Sequence, residues 1–428
     1  MKITVYLHNM WENLQVKRKI FDLLPSGSSK GLVLITGARQ SGKTTLVKAK
    51  YSHLPYYNLD AIELRDQLSS VSTFSWSMDV GHAVIDEIQK EPSLFEKIKY
   101  AYDAGDLSFS VLTGSSQLLL LKKVRETMAG RLKLFELFPF MLSELADPNG
   151  IKKERPIFEL LLDVSSINEI LEVLPSVLLG KKWDTLKNAE DWLIKWGGMP
   201  PLIHISDEKE KADWLHDYSF SYLERDLTDL ARLSDLKPFR RFQTIAALRS
   251  ANILHYTELA KDSGTSVETA RRYMEYLNIS YQNFLVQPYY KNLTSSLVKT
   301  PKLFWFDNGL LRQSSGLGFN IDSGQLYENY FASELMKYLR TMKIHAKLFY
   351  YRTRSGMEID FIIETKKGII AIEAKSRDVV TQSDFSALKK LASAAKDSWI
   401  GGIIVYRGNK TEQFGDRMWS VPSCRLLS

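Results

Sequence analysis

The sequence predicts an α/β protein of several domains, and three observations carry that expectation. The chain has 428 residues, too many for one ordinary core at roughly 100–200 residues per domain. Between residues 31 and 140, short apolar runs alternate with helix-compatible stretches, the pattern of a parallel sheet with covering helices. The first of these runs opens directly into a glycine-containing loop and then into residues that favour helix.

The apolar runs are Leu32–Thr36, Ala83–Asp86, Phe109–Thr113 and Leu132–Leu137. After Pro139 the pattern turns helical, with amphipathic stretches at Phe158–Leu162, Ile167–Leu179 and Trp192–Trp196. Gly197-Gly198-Met199-Pro200-Pro201 punctuates them. Residues 236–315 read as helix, turn, helix and short strands. Residues 324–428 read as a helix (Tyr327–Leu339), then strand, hairpin, helix and strand. The expected sections are therefore 1–150, 151–235, 236–318 and 319–428.

With 44% apolar and 25% charged residues, the composition excludes a disordered, collagenous or coiled-coil chain. A formal net charge of +7 suits a nucleic-acid partner and equally an ordinary solvated surface. The single cysteine, Cys424, excludes an intrachain disulfide and a thiolate zinc cluster and points to a reducing compartment. The amino terminus lacks a signal-peptide layout, and no apolar run approaches the roughly 20 residues that span a bilayer. A cytoplasmic protein without a membrane partner is expected.

Gly37-Ala38-Arg39-Gln40-Ser41-Gly42-Lys43-Thr44 fits G-x-x-x-x-G-K-[ST], set between the run Leu32–Thr36 and helix-compatible Thr45–Lys50. That strand–loop–helix setting is what phosphate binding by this motif requires. Glycines let the loop wrap closely round phosphates, and successive backbone N–H groups at a helix start form an anion nest. Residues Gly37 to Thr45 are expected to hold ATP, with Lys43 on the β- and γ-phosphates and the Thr44 hydroxyl on Mg²⁺. The run ending Val84-Ile85-Asp86-Glu87 supplies two carboxylates. Asp86 is assigned to the metal shell and Glu87 to the attacking water as catalytic base. Ser115, after the run Phe109–Thr113, is placed to sense the γ-phosphate. No Asn-Lys-x-Asp-like base-reading motif argues for GTP.

A second constellation lies near the carboxy terminus. Glu358–Glu364 and Ile369–Lys375 alternate apolar and polar residues round a short glycine-containing loop, the signature of a hairpin. With the turn centred between Lys366 and Lys367, Asp360 faces Glu373 and Glu358 faces Lys375. Opposed Cβ atoms lie about 4.5–5.5 Å apart, and like charges there destabilise unless something neutralises them. Mg²⁺ would do so, with Lys375 polarising an attacking water. Arg352 and Arg354, just upstream, would meet phosphates.

These motifs carry a family resemblance. The glycine loop with Thr45-Leu46, Val84-Ile85-Asp86-Glu87-Ile88-Gln89, Leu112-Thr113-Gly114-Ser115-Ser116 and Ala129-Gly130-Arg131 resemble AAA-type P-loop ATPases. More narrowly, they resemble a prokaryotic group that joins such an ATPase to a carboxy-terminal domain of unknown function. Tyr222-Leu223-Glu224-Arg225-Asp226, Phe304-Trp305-Phe306-Asp307-Asn308-Gly309-Leu310 and Tyr327-Glu328-Asn329 extend the likeness over nearly the whole chain. Asn308 departs from the family's usual glycine or threonine-glycine with no evident chemical meaning.

The resemblance implies an ATPase core (1–150), a helical lid (151–235), a winged-helix-like domain (236–318) and a carboxy-terminal PD-(D/E)xK nuclease-like α/β domain (319–428). It implies Arg131, with Arg125 as second choice, as an arginine finger reaching a neighbouring copy in a homo-oligomer. In the terminal domain it implies Asp360, Glu373 and Lys375 as catalytic residues. Glu328 is the additional metal-binding acid beside Asp360 and Glu373, Gln382 an accessory residue, and Mg²⁺ or Mn²⁺ the metal.

Tyr256–Lys261, Gly264 and Ser266–Tyr273 read as two helices round a glycine turn, with Ser266 and Thr269 at the second start. One reading sets Thr269, Arg271, Arg272 and Tyr273 against DNA; the other makes the unit a structural spacer. Two functions therefore stand at this level. One is a Mg²⁺-ATPase coupled to a DNA-acting or DNA-binding nuclease-like domain, with a metal-dependent endonuclease as its strongest form. The other is a nucleotide-operated switch whose terminal domain only binds a partner.

Overall fold

Five short strands set the first layer. They are β1 (Gly31–Thr36), β2 (Tyr56–Asn58), β3 (Val84–Asp86), β4 (Phe109–Gly114) and β5 (Leu132–Glu136), all parallel in the order β2-β3-β4-β1-β5. The computed structural model describes residues 16–27, 30–114, 130–151, 154–231, 236–290 and 300–428, and for 221–231 the backbone alone. Along β1, Leu32 and Leu34 pack with Ile85 and Leu112 on one face, while Val33 and Ile35 pack with Val47 and Val111 on the other. Burial on both faces explains why β1 is apolar throughout. Helices α1 (Lys43–Lys50), α2 (Ile62–Ser70) and α3 (Leu94–Ala104) connect the strands. The four expected strands are present; β2, only three residues long, was not expected.

The next section does more than cover the first sheet. Its main helices are α4 (Gly180–Trp196) and α5 (Glu208–Ala231). The expected helix over Ile167–Leu179 is a single turn, Asn168–Leu171. Pro175 has no N–H to continue a helix, and the chain beyond it binds elsewhere. Pro175 O accepts from Arg425 Nη1 at 2.6 Å, and Ser176 O accepts from Thr411 N at 2.6 Å. Phe158, Leu171, Leu186 and Trp192 share one core with Tyr350, Ile363 and Ile403 of the second sheet.

Helices α6 (Lys237–Leu248), α7 (Tyr256–Ser263) and α8 (Val267–Ile279) form the helix-turn-helix unit. Ser266 Oγ caps α8 by accepting from Thr269 N at 3.1 Å. Of the residues read against DNA, Tyr273 must be withdrawn: it is buried against the rings of Phe239 and Phe242. Arg271 and Arg272 are exposed, and Arg271 lies over the Tyr256 ring.

Strands β6 (Asn283–Pro288) and β7 (Lys302–Trp305) pair antiparallel as a wing, then continue into the second sheet. The chain passes through α9 (Asn308–Ser315), α10 (Gly324–Thr341), β8 (Lys347–Arg352), β9 (Glu358–Glu364) and β10 (Ile369–Lys375). It continues with α11 (Ser386–Ala395), β11 (Trp399–Tyr406), β12 (Glu412–Gly415) and β13 (Met418–Pro422), and a helical turn, Ser423–Leu426, follows. The eight strands run β12-β13-β11-β10-β9-β8-β6-β7. Gln287 and Pro288 of β6 pair with Phe349 and Tyr350 of β8, so the sheet crosses the expected boundary at residue 318. The β9–β10 hairpin has the expected register, from Ile369 opposite Glu364 to Ile372 opposite Phe361.

A polar lock joins the sections. Asn329 on α10 donates to Trp305 O (3.1 Å) and Asn308 Oδ1 (2.7 Å), and accepts from Ser250 Oγ and Trp305 N, both at 2.7 Å. Asn308 donates onward to Leu326 O at 3.0 Å, which gives it a chemical meaning its departure from the family pattern did not suggest. Asp307 Oδ2 accepts from Gly198 N at 2.6 Å. Gly198 O accepts from Phe140 N at 2.7 Å. A Cβ on Gly198 would stand 2.3 Å from Phe140 O, so only glycine admits this approach.

Candidate functional site

β1 delivers the chain into the glycine loop at the carboxyl end of the first sheet, where open parallel sheets bind ligands. Gly42, at φ +96°, turns the loop into α1, a conformation that disfavours side chains. Lys43 is buried, and its Nζ donates to Gly37 O at 3.0 Å and Ala38 O at 2.9 Å. The ammonium is thereby held within the loop, and Thr44 and Thr45 face solvent beyond it.

Asp86, 1% exposed, gathers donors from four directions. Thr44 Oγ1 and the Tyr56 hydroxyl both donate to Oδ2 at 2.6 Å; Thr113 Oγ1 and Glu87 N donate to Oδ1, the latter at 3.1 Å. Burial and the Asp86 charge push the Tyr56 hydroxyl well above the usual phenol range. Glu87 takes a left-handed backbone, φ +59° and ψ +42°, uncommon for a residue with a side chain, and its carboxylate accepts from Gln89 Nε2.

A cleft of about 450 Å³ opens here, lined by Arg39, Gln40, Gly42 to Thr45 and Glu87, and by Pro200, Pro201 and His204. Other sections brace the loop. Tyr218 on α5 donates to Arg39 O at 3.1 Å. Arg18, 8% exposed, donates to Ser41 O at 2.9 Å, to Phe138 O and to Glu144 Oε1 at 3.1 Å. Arg131 pairs with Asp103 of its own chain. Ser115 and Arg125 lie outside the described residues, as do the side chains of Arg225 and Asp226.

The second acidic centre lies on β9, β10 and α10. Asp360 Oδ2 accepts from Ala374 N at 2.9 Å, and Glu373 Oε1 accepts from Lys375 Nζ at 2.8 Å. A residue the sequence reasoning missed stands among the acids: Lys302 on β7, 2% exposed. Its Nζ lies 2.5 Å from Glu358, 2.9 Å from Glu328 and 3.9 Å from Asp360. Arg352 pairs with the other Glu358 oxygen at 2.9 Å. Burial raises Asp360, pushes Glu328 up to about 8 and Glu373 up to about 7, the neighbouring Asp360 charge adding to both of the latter.

Among the described residues no group of three or more His, Cys, Asp or Glu is disposed to hold a metal. Of the set expected for Mg²⁺ or Mn²⁺, Glu328 and Asp360 lie beside the Lys302 ammonium and Glu373 beside that of Lys375. Gln382 donates to Phe414 O at 3.2 Å.

Residues 29–146 match the family model of an AAA domain. Residues 187–320 and 323–426 match two domains of unknown function, DUF8612 and DUF4143. An uncharacterized protein of Mycobacterium tuberculosis is 27% identical over 412 residues, covering 93% of this chain and 81% of the relative. One of Methanocaldococcus jannaschii is 25% identical over 351 residues, covering 77% and 71%.

Among solved structures, a STAND-class signal-transduction ATPase with a tetratricopeptide-repeat sensor from Pyrococcus horikoshii is 12% identical with a TM-score of 0.26. It covers 77% of this chain, which spans only 47% of that one. AMPPCP-bound DnaA from Aquifex aeolicus is 15% identical with a TM-score of 0.23, covering 63% and 86%. TM-scores this low say nothing about ligand or assembly.

The donor set within residues 29–146 fits Mg²⁺. A threonine hydroxyl and a buried carboxylate already stand 2.6 Å apart, and Mg²⁺ takes such oxygens beside water and phosphate. Three features at the loop escaped the sequence reasoning: Arg18, Tyr218 and the wall at Pro200, Pro201 and His204. Each lies outside the residues matched to the AAA model and belongs to no motif of its own. The Pro-Pro pair was noted only as punctuation. Among the described residues no helix is long and apolar enough to cross a membrane.

Proposed function

We propose that the chain is a Mg²⁺-dependent ATPase whose turnover repositions a nuclease-like terminal domain that binds DNA. The observation that carries the ATPase reading is the contact between Thr44 Oγ1 and Asp86 Oδ2 at the mouth of the loop. When bound, Mg²⁺ would neutralise charge on the β- and γ-phosphates. The loop's N–H groups orient the phosphates, Lys43 stabilises the charge that develops on the transferred group, and Glu87 accepts the proton of the attacking water. Arg131 supplies a finger to a neighbouring copy by exchanging Asp103 for that copy's γ-phosphate.

ATP turnover by Lys43→Ala and Glu87→Gln tests the core reading: both should fall to background while the fold persists. Full turnover by Lys43→Ala would end it. Mixing Arg131→Ala with Glu87→Gln subunits tests the finger, because activity regained on mixing requires contact between copies.

For DNA, the support is the net charge of +7 and the exposed Arg271 and Arg272 on α8. Lys302 among the acids favours binding over cutting. Plasmid and single-stranded DNA incubated with Mg²⁺ or Mn²⁺, with and without ATP, separate the two when wild type is run beside Asp360→Ala/Lys375→Ala. Cleavage by wild type alone would restore the endonuclease reading.

A further inference from the structure

Lys302 reaches the acidic centre from outside the terminal domain. Its backbone pairs with Val286 on β6 and bridges to Ile253, and the preceding Pro301 O accepts from Leu254 N at 2.8 Å. The winged-helix section therefore fixes the main chain, while the ammonium sits between Glu328 and Glu358 and 5.6 Å from the centre of the Tyr350 ring. A cation tethered to a buried side chain is not free to exchange with solvent ions. Glu373 is supplied separately by Lys375. Both acidic flanks of the site thus have a resident positive charge.

We propose that Lys302 is the built-in counter-ion of this centre and closes it to divalent metal, so that the terminal domain stays uncharged by metal while β7 is docked. The proposal rests on the nuclease-like reading of that domain, because only such a centre would otherwise take Mg²⁺ or Mn²⁺. An opposite charge within a few ångströms outweighs a solvent cation that must shed water to enter. Removing the ammonium leaves Glu328, Glu358 and Asp360 facing one another, an arrangement that favours uptake of another cation.

The test titrates the nucleotide-free full chain with MnCl₂ and reads free Mn²⁺ by electron paramagnetic resonance. Wild type and Asp360→Asn should take up Mn²⁺ equally, since any binding beside Asp86 is common to both. Lys302→Met should take up Mn²⁺ that wild type does not. Lys302→Met/Asp360→Asn should lose that gain, and Lys302→Arg should behave as wild type.

Mn²⁺ uptake by wild type that disappears in Asp360→Asn would overturn the proposal, as would a folded Lys302→Met that gains nothing. Should Lys302→Met fail to fold, the comparison of wild type with Asp360→Asn decides alone: equal uptake supports, unequal uptake overturns. A gain in Lys302→Met with no DNA cleavage by any variant keeps this inference and removes the endonuclease. Asp360-dependent uptake by wild type does the reverse.

Discussion

Replacing Tyr56 by phenylalanine removes one of the donors that hold Asp86. The hydroxyl donates at 2.6 Å to Oδ2 of a carboxylate that is 1% exposed. Hydrogen bonds to charged groups contribute about 1.5–3 kcal/mol. Thr44, Thr113 and Glu87 N remain, so the loss should lie near the lower limit, about 1.5 kcal/mol. The ring itself stays, with Lys48 Nζ 4.4 Å from its centre. The sign reverses for the metal. Tyr56 competes for the oxygen that also faces Thr44, so its removal should tighten Mg²⁺ in the presence of ATP. A gain of 1.4 kcal/mol would be about tenfold, which sets the upper limit. Urea unfolding of the nucleotide-free chain reads the first quantity, and the Mg²⁺ concentration giving half-maximal turnover at saturating ATP reads the second. Unchanged stability together with weaker Mg²⁺ would refute the reasoning, because Tyr56 would then belong to the metal's surroundings and not compete with it.

Gly198→Ala should lower the melting temperature of the full chain sharply. Its Cβ meets backbone at 2.3 Å, and overpacking of this kind costs about 1–3 kcal/mol or more; an unchanged melt would mean that the Gly198–Phe140 contact is not held. Asn329→Ala strands the Ser250 hydroxyl, Trp305 N and Asn308 Oδ1 in a buried site. At about 1–3 kcal/mol for each unsatisfied group, its effect on unfolding should exceed that of any exposed substitution. In the folded chain Glu328 is held at about 8 against an ordinary 4.5. The folded state therefore binds a proton that the unfolded state has released, and this contribution to stability is lost as pH rises from about 4.5 through 8. Unfolding measured at intervals across that window should show a shallower decline for Glu328→Gln than for wild type.

The sequence made the first sheet legible because burial on both faces writes strands as continuous apolar runs; Leu32, Val33, Leu34 and Ile35 are all wholly buried. It made the β9–β10 register legible because a tight turn fixes pairing from its centre outward. What lay beyond it was tertiary. Pro175 stood inside the stretch read as one helix, Ile167–Leu179, and nothing local said that the backbone there would bind Arg425 and Thr411. Tyr273 sits at a helix position where a recognition residue would stand, and only Phe239 and Phe242 decide that it is core. For the site, Lys43, Thr44, Asp86 and Glu87 follow from spacing. Lys302 did not, because the neutralising charge was assigned to Mg²⁺, and an ammonium from a strand outside the hairpin stands beside the acids. Asn308 was read as a neutral departure because its partners, Asn329 and Leu326, approach through packing alone.

The pairing of β6 with β8 has a consequence for dissecting the chain. A fragment begun at residue 319 would lose both β6 and β7, leaving the outer edge of β8 as a row of open backbone donors and acceptors, a template for self-association. The same cut would take Lys302 away from Glu328 and Glu358. Metal uptake or insolubility seen in such a fragment would report on the cut itself, and the terminal domain has to be studied with its wing attached.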